Sequence, residues 1–176
     1  MQNKMKQKLA HLMHFPGMRP LMRLGIQLVV PRHRVGIALV ALDEQERVFM
    51  LKHVFHPDAP WGLPAGWLNR HENPAHGILR ELYEETGLTA KLGPPINIGH
   101  HPEAKHIGIV YLGEIEPGEL CLSHEILEAK WFSLDELPDK ILPFTQESID
   151  TAVSMHRLIK NKMNSNGHLA GEKVEK

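Results

Sequence analysis

The chain has 176 residues, of which 42% are hydrophobic and 23% charged; this is the size and make-up of one globular domain and excludes two full domains or a disordered chain. Its single cysteine, Cys121, excludes an internal disulfide and a cysteine-rich zinc site. The net charge of −1 conceals segregation: residues 1–34 hold seven Lys or Arg and no acid, whereas residues 35–150 hold eight against nineteen Asp or Glu, so the centre repels polyphosphate unless a cation intervenes. No stable nucleic-acid partner is expected of such a centre, and metal chemistry is.

In chain order, Met1 to Arg23 sets Met1, Met5, Leu9, Leu12, Met13 and Phe15 near helical spacing, with basic residues between them. This predicts a short amphipathic helix in a basic, Met-rich extension covering residues 1–34. Such a helix packs on the domain, pairs with a second copy in a homodimer, lies on an anionic membrane through residues 1–23, or serves as a nucleic-acid arm; the sequence leaves these open. Lys4, Lys6 and Lys8 break up the apolar stretch that a signal peptide would need, and no run approaches the ~18 apolar residues of a membrane span, so the expected location is cytoplasmic.

Gly25 to Val30 leads through Pro31 into Val35–Leu42, an apolar run bounded by charge that predicts a buried strand. Asp43 to Glu46 reads as a turn, and Arg47 to His53 as the returning arm of a hairpin with Val48, Met50 and Val54 inward. His56 to Pro60 is a Pro-bounded loop, and Trp61 to Leu63 a short strand stopped by Pro64. Asn73 before Pro74 predicts a helix start, because Asn accepts free amides while Pro lacks the N–H that would go unpaired. The helix should run to Thr86 and stop at Gly87. Ile96–Gly99, Ile107–Ile115 and Ala129–Phe132 predict further strands, with turns at Gly93-Pro94-Pro95 and Pro117-Gly118. Phe144 to Lys162 predicts a final helix with Ile149, Val153, His156 and Leu158 near one side, followed by a polar tail over residues 163–176. The order describes an α/β domain over residues 35–162, a mixed sheet covered on both faces.

The helix at 74–86 carries an unusual charge pattern. At 100° per residue, Glu84 and Glu85 lie about 60° and 40° to either side of Glu81, so three carboxylates share one face. Like charges at these spacings repel and weaken an isolated helix. Arg80 can orient one of them and leaves a negative surplus. Clustered hard oxygens suit Mg²⁺ or Mn²⁺, ions that also bind substrate phosphates. Taken alone, these residues are equally an acidic, solvated helix face. Upstream, however, Leu63-Pro64-Ala65-Gly66 ends in a glycine that permits close backbone approach; Glu72, Arg80-Glu81 and Glu84-Glu85-Thr86-Gly87-Leu88 follow at set intervals.

This series resembles the Nudix hydrolase signature, G-x5-E-x7-R-E-U-x-E-E-x-G-U with U aliphatic, and matches it at Gly66, Glu72, Arg80, Glu81, Leu82, Glu84, Glu85, Gly87 and Leu88. The resemblance implies a Nudix α/β/α sandwich with a central mixed sheet and a catalytic loop-helix. It further implies hydrolysis, assisted by Mg²⁺ or Mn²⁺, of a nucleoside diphosphate linked to another group. By position, Glu81, Glu84 and Glu85 correspond to metal ligands, Arg80 to the orienting arginine and Gly66 to a backbone contact, while Glu72 acts through water or pairs with a basic side chain.

Water must attack phosphorus in a P–O–P bridge, and a base must take its proton. Glu84 or Glu85 serves, or, as the Nudix resemblance implies, a carboxylate outside the box: Glu125, six residues before Trp131, is the candidate, with Glu128 next, and Glu125 reads equally as a solvated loop acid. His53 and His56, with Phe55, follow a strand bordering the expected cleft and are candidate substrate contacts. Trp67 beside the metal loop and His101 join them; Trp61, which flanks the same loop, stacks on a base or, as Trp67 also could, serves as core or lid. His100, His101 and His106 lack a recognised zinc spacing, and loop contacts to substrate are the better reading. Cys121 has no activating partner. Ala65 in Leu-Pro-Ala-Gly, and Pro102 fifteen residues past Gly87, resemble the Nudix subgroup that acts on ADP-ribose and nucleotide sugars, and this resemblance implies such substrates. Nucleoside triphosphate clean-up and an idle nucleotide-sensing module are the alternatives.

Overall fold

The computed structural model describes residues 18–30, 32–101 and 106–171, the side chains of 101 and 163–171 excepted. The apolar pattern at Met1–Phe15, and Pro102, lie outside the described residues. The chain divides into two compact units, Met1–His33 and Arg34–Lys176.

In the first unit, α1 covers Met18–Val29. It takes in Gly25–Val29, which the sequence reading treats as a lead-in to the first strand; one glycine in a run of Leu, Met and Ile is too weak a breaker to stop a helix. None of its residues is buried.

The second unit begins with β1, Val35–Ala41, followed by β2, Val48–His53, β3, Trp61–Gly62, and β4, Ala65–Trp67. Helix α2, Pro74–Thr86, precedes β5, Ala90–His101, β6, His106–Ile115, and β7, Ile126–Phe132; helix α3, Pro143–Gly171, ends the chain. Four strands pair in the order β4-β1-β6-β5 and three in the order β3-β2-β7. β1 runs parallel to β6 and antiparallel to β4, which makes the sheet mixed.

Alternation along β1 and β2 builds a core on each face. Ile37, Leu39, Phe49 and Leu51 point to the side where α2 contributes Ile78 and Leu82. Val40, Leu42, Val48 and Met50 point to the other, where α3 contributes Ile149, Ala152 and Val153. Because Val48 to Leu51 are all buried, β2 lies between two layers and lacks the solvent face that a simple hairpin arm would have. β1 and β2 accordingly belong to different sheets, joined by one bridge between Leu42 and Val48, and not to the predicted hairpin. Val54 stands outside the core at 41% exposure.

Other expectations shift for local reasons. Gly93-Pro94-Pro95 is an irregular stretch inside β5, not a turn: pairing with β6 continues on both sides, but its register shifts between Leu92 and Pro95 and again between Pro95 and Asn97, around prolines that cannot donate to the ladder. Three residues, Ala65–Trp67, form β4 where a loop was expected, since β1 offers them an antiparallel partner. α3 continues through the expected tail to Gly171, and Leu158 is exposed while Ile149 and Val153 are buried.

Two local devices hold the helices in place. Asn73 caps α2 by accepting from the Ala75 amide at 2.9 Å, and Gly87, at φ 71°, ends it. Glu46 in the β1–β2 turn takes Arg157 of α3 through Nε at 3.0 Å and Nη2 at 2.6 Å. Arg157 is the main reason the Glu46 carboxyl sits below its ordinary value, against a smaller opposing effect of burial.

Replacing Asn73 with Ala should lower stability by about 1 kcal/mol in denaturant titration. The folded protein releases the Glu46 proton at lower pH than the unfolded chain does, so the Arg157 pair stabilises above the ordinary carboxylate range and fades as pH falls through the depressed value. Wild type should therefore outlast Glu46→Gln in thermal unfolding at about pH 7, with the gap closing near pH 3; an equal gap at both would contradict the assignment.

Candidate active site

The charged face of α2 is aimed by the apolar one. Ile78 and Leu82 are fully buried, which turns Arg80, Glu81, Glu84 and Glu85 toward β4 and the loop behind it. In that loop His71 adopts φ 66°, and the Asn69 amide donates to Glu72 at 2.8 Å. Glu72 accepts from Arg80 Nε at 2.8 Å and Nη2 at 3.0 Å. Of the two roles the sequence leaves to Glu72, this geometry is the pairing one. The contact holds its carboxyl down to about 2.

Arg80 does more than orient one acid. Its Nη1 lies 2.9 Å from both Glu81 Oε1 and Glu84 Oε2, and Nη2 donates to the Trp67 carbonyl at 3.2 Å. Glu81 accepts from the Trp67 amide at 3.2 Å. Gly66 is what lets it do so, because a Cβ there would overlap the Glu81 carboxyl group. The expected backbone approach at Gly66 is thus an approach to a carboxylate.

Glu85 is the outlier. Its side chain is 12% exposed, accepts from the Ala65 amide at 3.2 Å and faces His53 Nδ1 at 3.9 Å. Among the described residues no Lys or Arg pairs with it. Burial, then the charges of Glu81, Glu125 and Glu84, push its carboxyl up to about 8, against the Ala65 amide. Burial chiefly, with the charge of His56, lowers His53, opposed by a Leu63 backbone contact and by Glu125. Glu125 therefore stands within electrostatic reach of both groups. It is brought there by β2–β7 pairing: the Val54 amide donates to the Glu125 carbonyl at 2.9 Å, and His53 sits opposite Ile126. Glu128 lies farther along β7, 3.9 Å from Lys52.

Among the described residues, no three His, Cys, Asp or Glu side chains converge as a formed metal site. Glu81 and Glu84 both turn to Arg80, and Glu85 turns to β4. The donor chemistry still fits a hard divalent cation: three of the four carboxylates share one guanidinium, and the fourth and most buried, Glu85, is left to an amide and a distant imidazole. It does not fit zinc, since His100 is exposed and His106 turns toward Trp67.

A cleft of about 560 Å³ opens beside this face, reaching it at Ala65 and Gly66. Its floor includes Gly36 and Gly108, neighbours in β1–β6 register, and both are needed bare: a Cβ would stand 2.7 Å from the His106 ring at one and 2.8 Å from the Phe144 ring at the other. His53, His56, Trp61 and Trp67, expected substrate contacts, all line it. Trp67 meets His106 edge-on at 4.9 Å and carries the Arg34 guanidinium at 5.6 Å from its ring centre. His101 ends β5 opposite His106, and its side chain lies outside the described residues. Sequence reasoning missed Phe144, Gly36 and Gly108; glycines inside two apolar strand runs were the available signal.

Residues 32–152 match the NUDIX domain. Over 101 residues the chain is 26% identical to the NAD-capped RNA hydrolase NudC of Salmonella heidelberg (strain SL476), a match covering 57% of this chain and 39% of that protein. The chain thus aligns with about two fifths of the length of this curated relative. The structure is similar to that of a MutT NUDIX hydrolase from Burkholderia pseudomallei, with TM-score 0.61 and 24% identity over 69% of this chain and 98% of the other. It is also similar to that of an ADP-ribose pyrophosphatase from Streptococcus suis 89-1591, with TM-score 0.62 and 19% identity over 72% and 93%. At these identities the structural likeness shows the fold. Because the match to the domain covers most of the chain and takes in the whole loop-helix from Gly66 to Leu88, this protein belongs to the NUDIX domain family.

Proposed function

We propose that the chain is a hydrolase that uses Mg²⁺ or Mn²⁺ to cleave the pyrophosphate bridge of a nucleoside diphosphate bearing a further group, of the ADP-ribose or nucleotide-sugar kind. The observation that carries this reading is that Glu81 and Glu85 accept from the β4 amides, with Glu84 beside them on Arg80, at the edge of an aromatic-walled cleft. Ala65 in Leu-Pro-Ala-Gly, through its resemblance to hydrolases of that kind, supports the substrate class, as does the ADP-ribose pyrophosphatase among the similar structures.

Glu81, Glu84 and Glu85 would hold the cation, with the Gly66 backbone beside them. When bound, such an ion offsets charge on the phosphate oxygens and makes water easier to deprotonate. The chain's own groups do the remainder. Arg80 fixes Glu81 and Glu84 at hydrogen-bond distance, so neither must be ordered when substrate arrives. A water oxygen bonds to phosphorus, the bridging oxygen leaves with the second phosphate, and a carboxylate accepts the water proton. Glu85 and Glu125, close enough for the charge of Glu125 to act on Glu85, are the two candidate acceptors. Trp67, His106 and Phe144 line the cleft and offer an aromatic base ring faces and edges to stack against.

The deciding experiment is a nucleotide panel with Mg²⁺ or Mn²⁺ in which the products are separated. The reading expects two monophosphate products from ADP-ribose or a nucleotide sugar. Hydrolysis of nucleoside triphosphates alone would overturn the substrate class, and nucleotide binding without turnover would make the module a sensor.

Glu84→Gln and Glu85→Gln should keep the fold by circular dichroism and lower kcat by roughly 10²-fold or more, as expected when an ion ligand or base is lost. Glu125→Gln should lower kcat with little change in KM if it takes the proton, and an unchanged kcat would leave that role to Glu85. Gly66→Ala should cost at least about tenfold in kcat, because the added methyl displaces the Glu81 carboxyl group; wild-type turnover would contradict the tight approach.

A further inference from the structure

Helix α1 leaves the functional reading unused. At 100° per residue, Met18, Leu21, Met22, Leu24, Ile26, Leu28 and Val29 occupy one arc of about 200°, and Arg19, Pro20, Arg23 and Gln27 fill the rest. The apolar arc is bare: Leu21, Leu24, Ile26, Leu28 and Val29 are 62, 54, 53, 78 and 82% exposed. So continuous an apolar surface on a helix with no buried residue marks something that covers it.

The charge of the segment says what. Residues 1–34 carry seven Lys or Arg and no Asp or Glu, and both charged residues of α1 lie on its polar arc. A twofold contact with a second copy through the same face would cover the apolar arc but leave the cations unmatched, since neither arm carries an acid. A nucleic acid would match the cations and leave the apolar arc in water. A bilayer surface carrying anionic lipid satisfies both: acyl chains take the apolar arc while phosphates meet the cations. Twelve residues span about 18 Å, too short to cross the ~30 Å hydrocarbon core, so the helix lies in the plane of the interface.

We propose that α1 is an interfacial anchor that seats residues 18–30 of this chain in the headgroup region of an anionic phospholipid membrane. Binding requires the apolar arc for insertion and the cations for attraction, so it is lost when either is removed and weakens with salt.

The test is flotation of the full chain with phosphatidylglycerol–phosphatidylcholine vesicles and with phosphatidylcholine vesicles, each at low and high salt. Protein should float with the anionic vesicles at low salt, and the bound fraction should drop on adding salt or omitting phosphatidylglycerol. Leu24→Glu with Leu28→Glu should lower the partition coefficient by roughly tenfold or more. Arg19→Glu with Arg23→Glu should abolish the preference for anionic lipid. Circular dichroism and nucleotide turnover in solution should be unchanged in both variants, so a failure here is separable from a failure of the hydrolase assignment. No flotation with anionic vesicles, or flotation indifferent to Leu24→Glu with Leu28→Glu, would overturn the proposal. So would a vesicle-independent dimer in sedimentation that this variant dissolves, since a second copy would then be the cover.

Discussion

Arg80 brings a single positive charge into a space shared by Glu72, Glu81 and Glu84, and most of the loop-helix geometry follows from how that charge is divided. Glu72 takes a two-point contact that closes the loop between β4 and α2. Glu81 and Glu84 share the remaining amino group, which lines them up along the helix with only part of their charge offset. Glu85, one residue on, is out of reach and is pressed into the interior beside β4. Its raised carboxyl is the measure of that frustration, set mainly by burial and then by its acidic neighbours. A structure that concentrates negative charge so far beyond its internal cations stores an affinity for external ones.

The scaffold keeps this arrangement from relaxing. α2 cannot roll its acids into solvent, because Ile78 and Leu82 are locked into the core under β1 and β2. It cannot slide along its axis either, with Asn73 at one end and Gly87 at the other. β4 is three residues long, yet its amides hold Glu81 and Glu85, and its pairing with β1 places those amides at the cleft floor. The cleft and the charged helix are thus two products of one strand pairing. Bare glycines at 36 and 108 let aromatic rings lie against the sheet, so an apolar platform and an anionic edge meet within a single cavity.

What could be read from the chain was local. Asn73-Pro74 and Gly87 bounded α2 to the residue, because cap chemistry depends on neighbours in sequence. The box residues carried the family resemblance through their spacing, and β1, β6 and α3 declared themselves by apolar runs or period. What could not be read was pairing. β1 and β2 look like a hairpin and join different sheets, since burial of β2 on both faces is decided by strands far along the chain. The Pro94-Pro95 pair looks like a turn and lies within a strand whose partner supplies the continuity. At the site, spacing showed that three acids share a helix face, but not that two of them share one guanidinium nitrogen while the third is buried. The approach of Glu125 to Glu85, and of Phe144 to the cleft, depends on tertiary contacts that no periodicity records.

If the carboxylates of α2 exist to hold a divalent cation, uptake should be direct and local. Calorimetric titration of Mn²⁺ into the full chain, with and without a non-hydrolysable nucleoside diphosphate derivative, reads this without relying on turnover. The account predicts saturable binding that strengthens with nucleotide and is lost when Glu81 and Glu85 are both replaced by Gln. Binding of equal strength in the doubly substituted protein, or none in the wild type with nucleotide present, would contradict it.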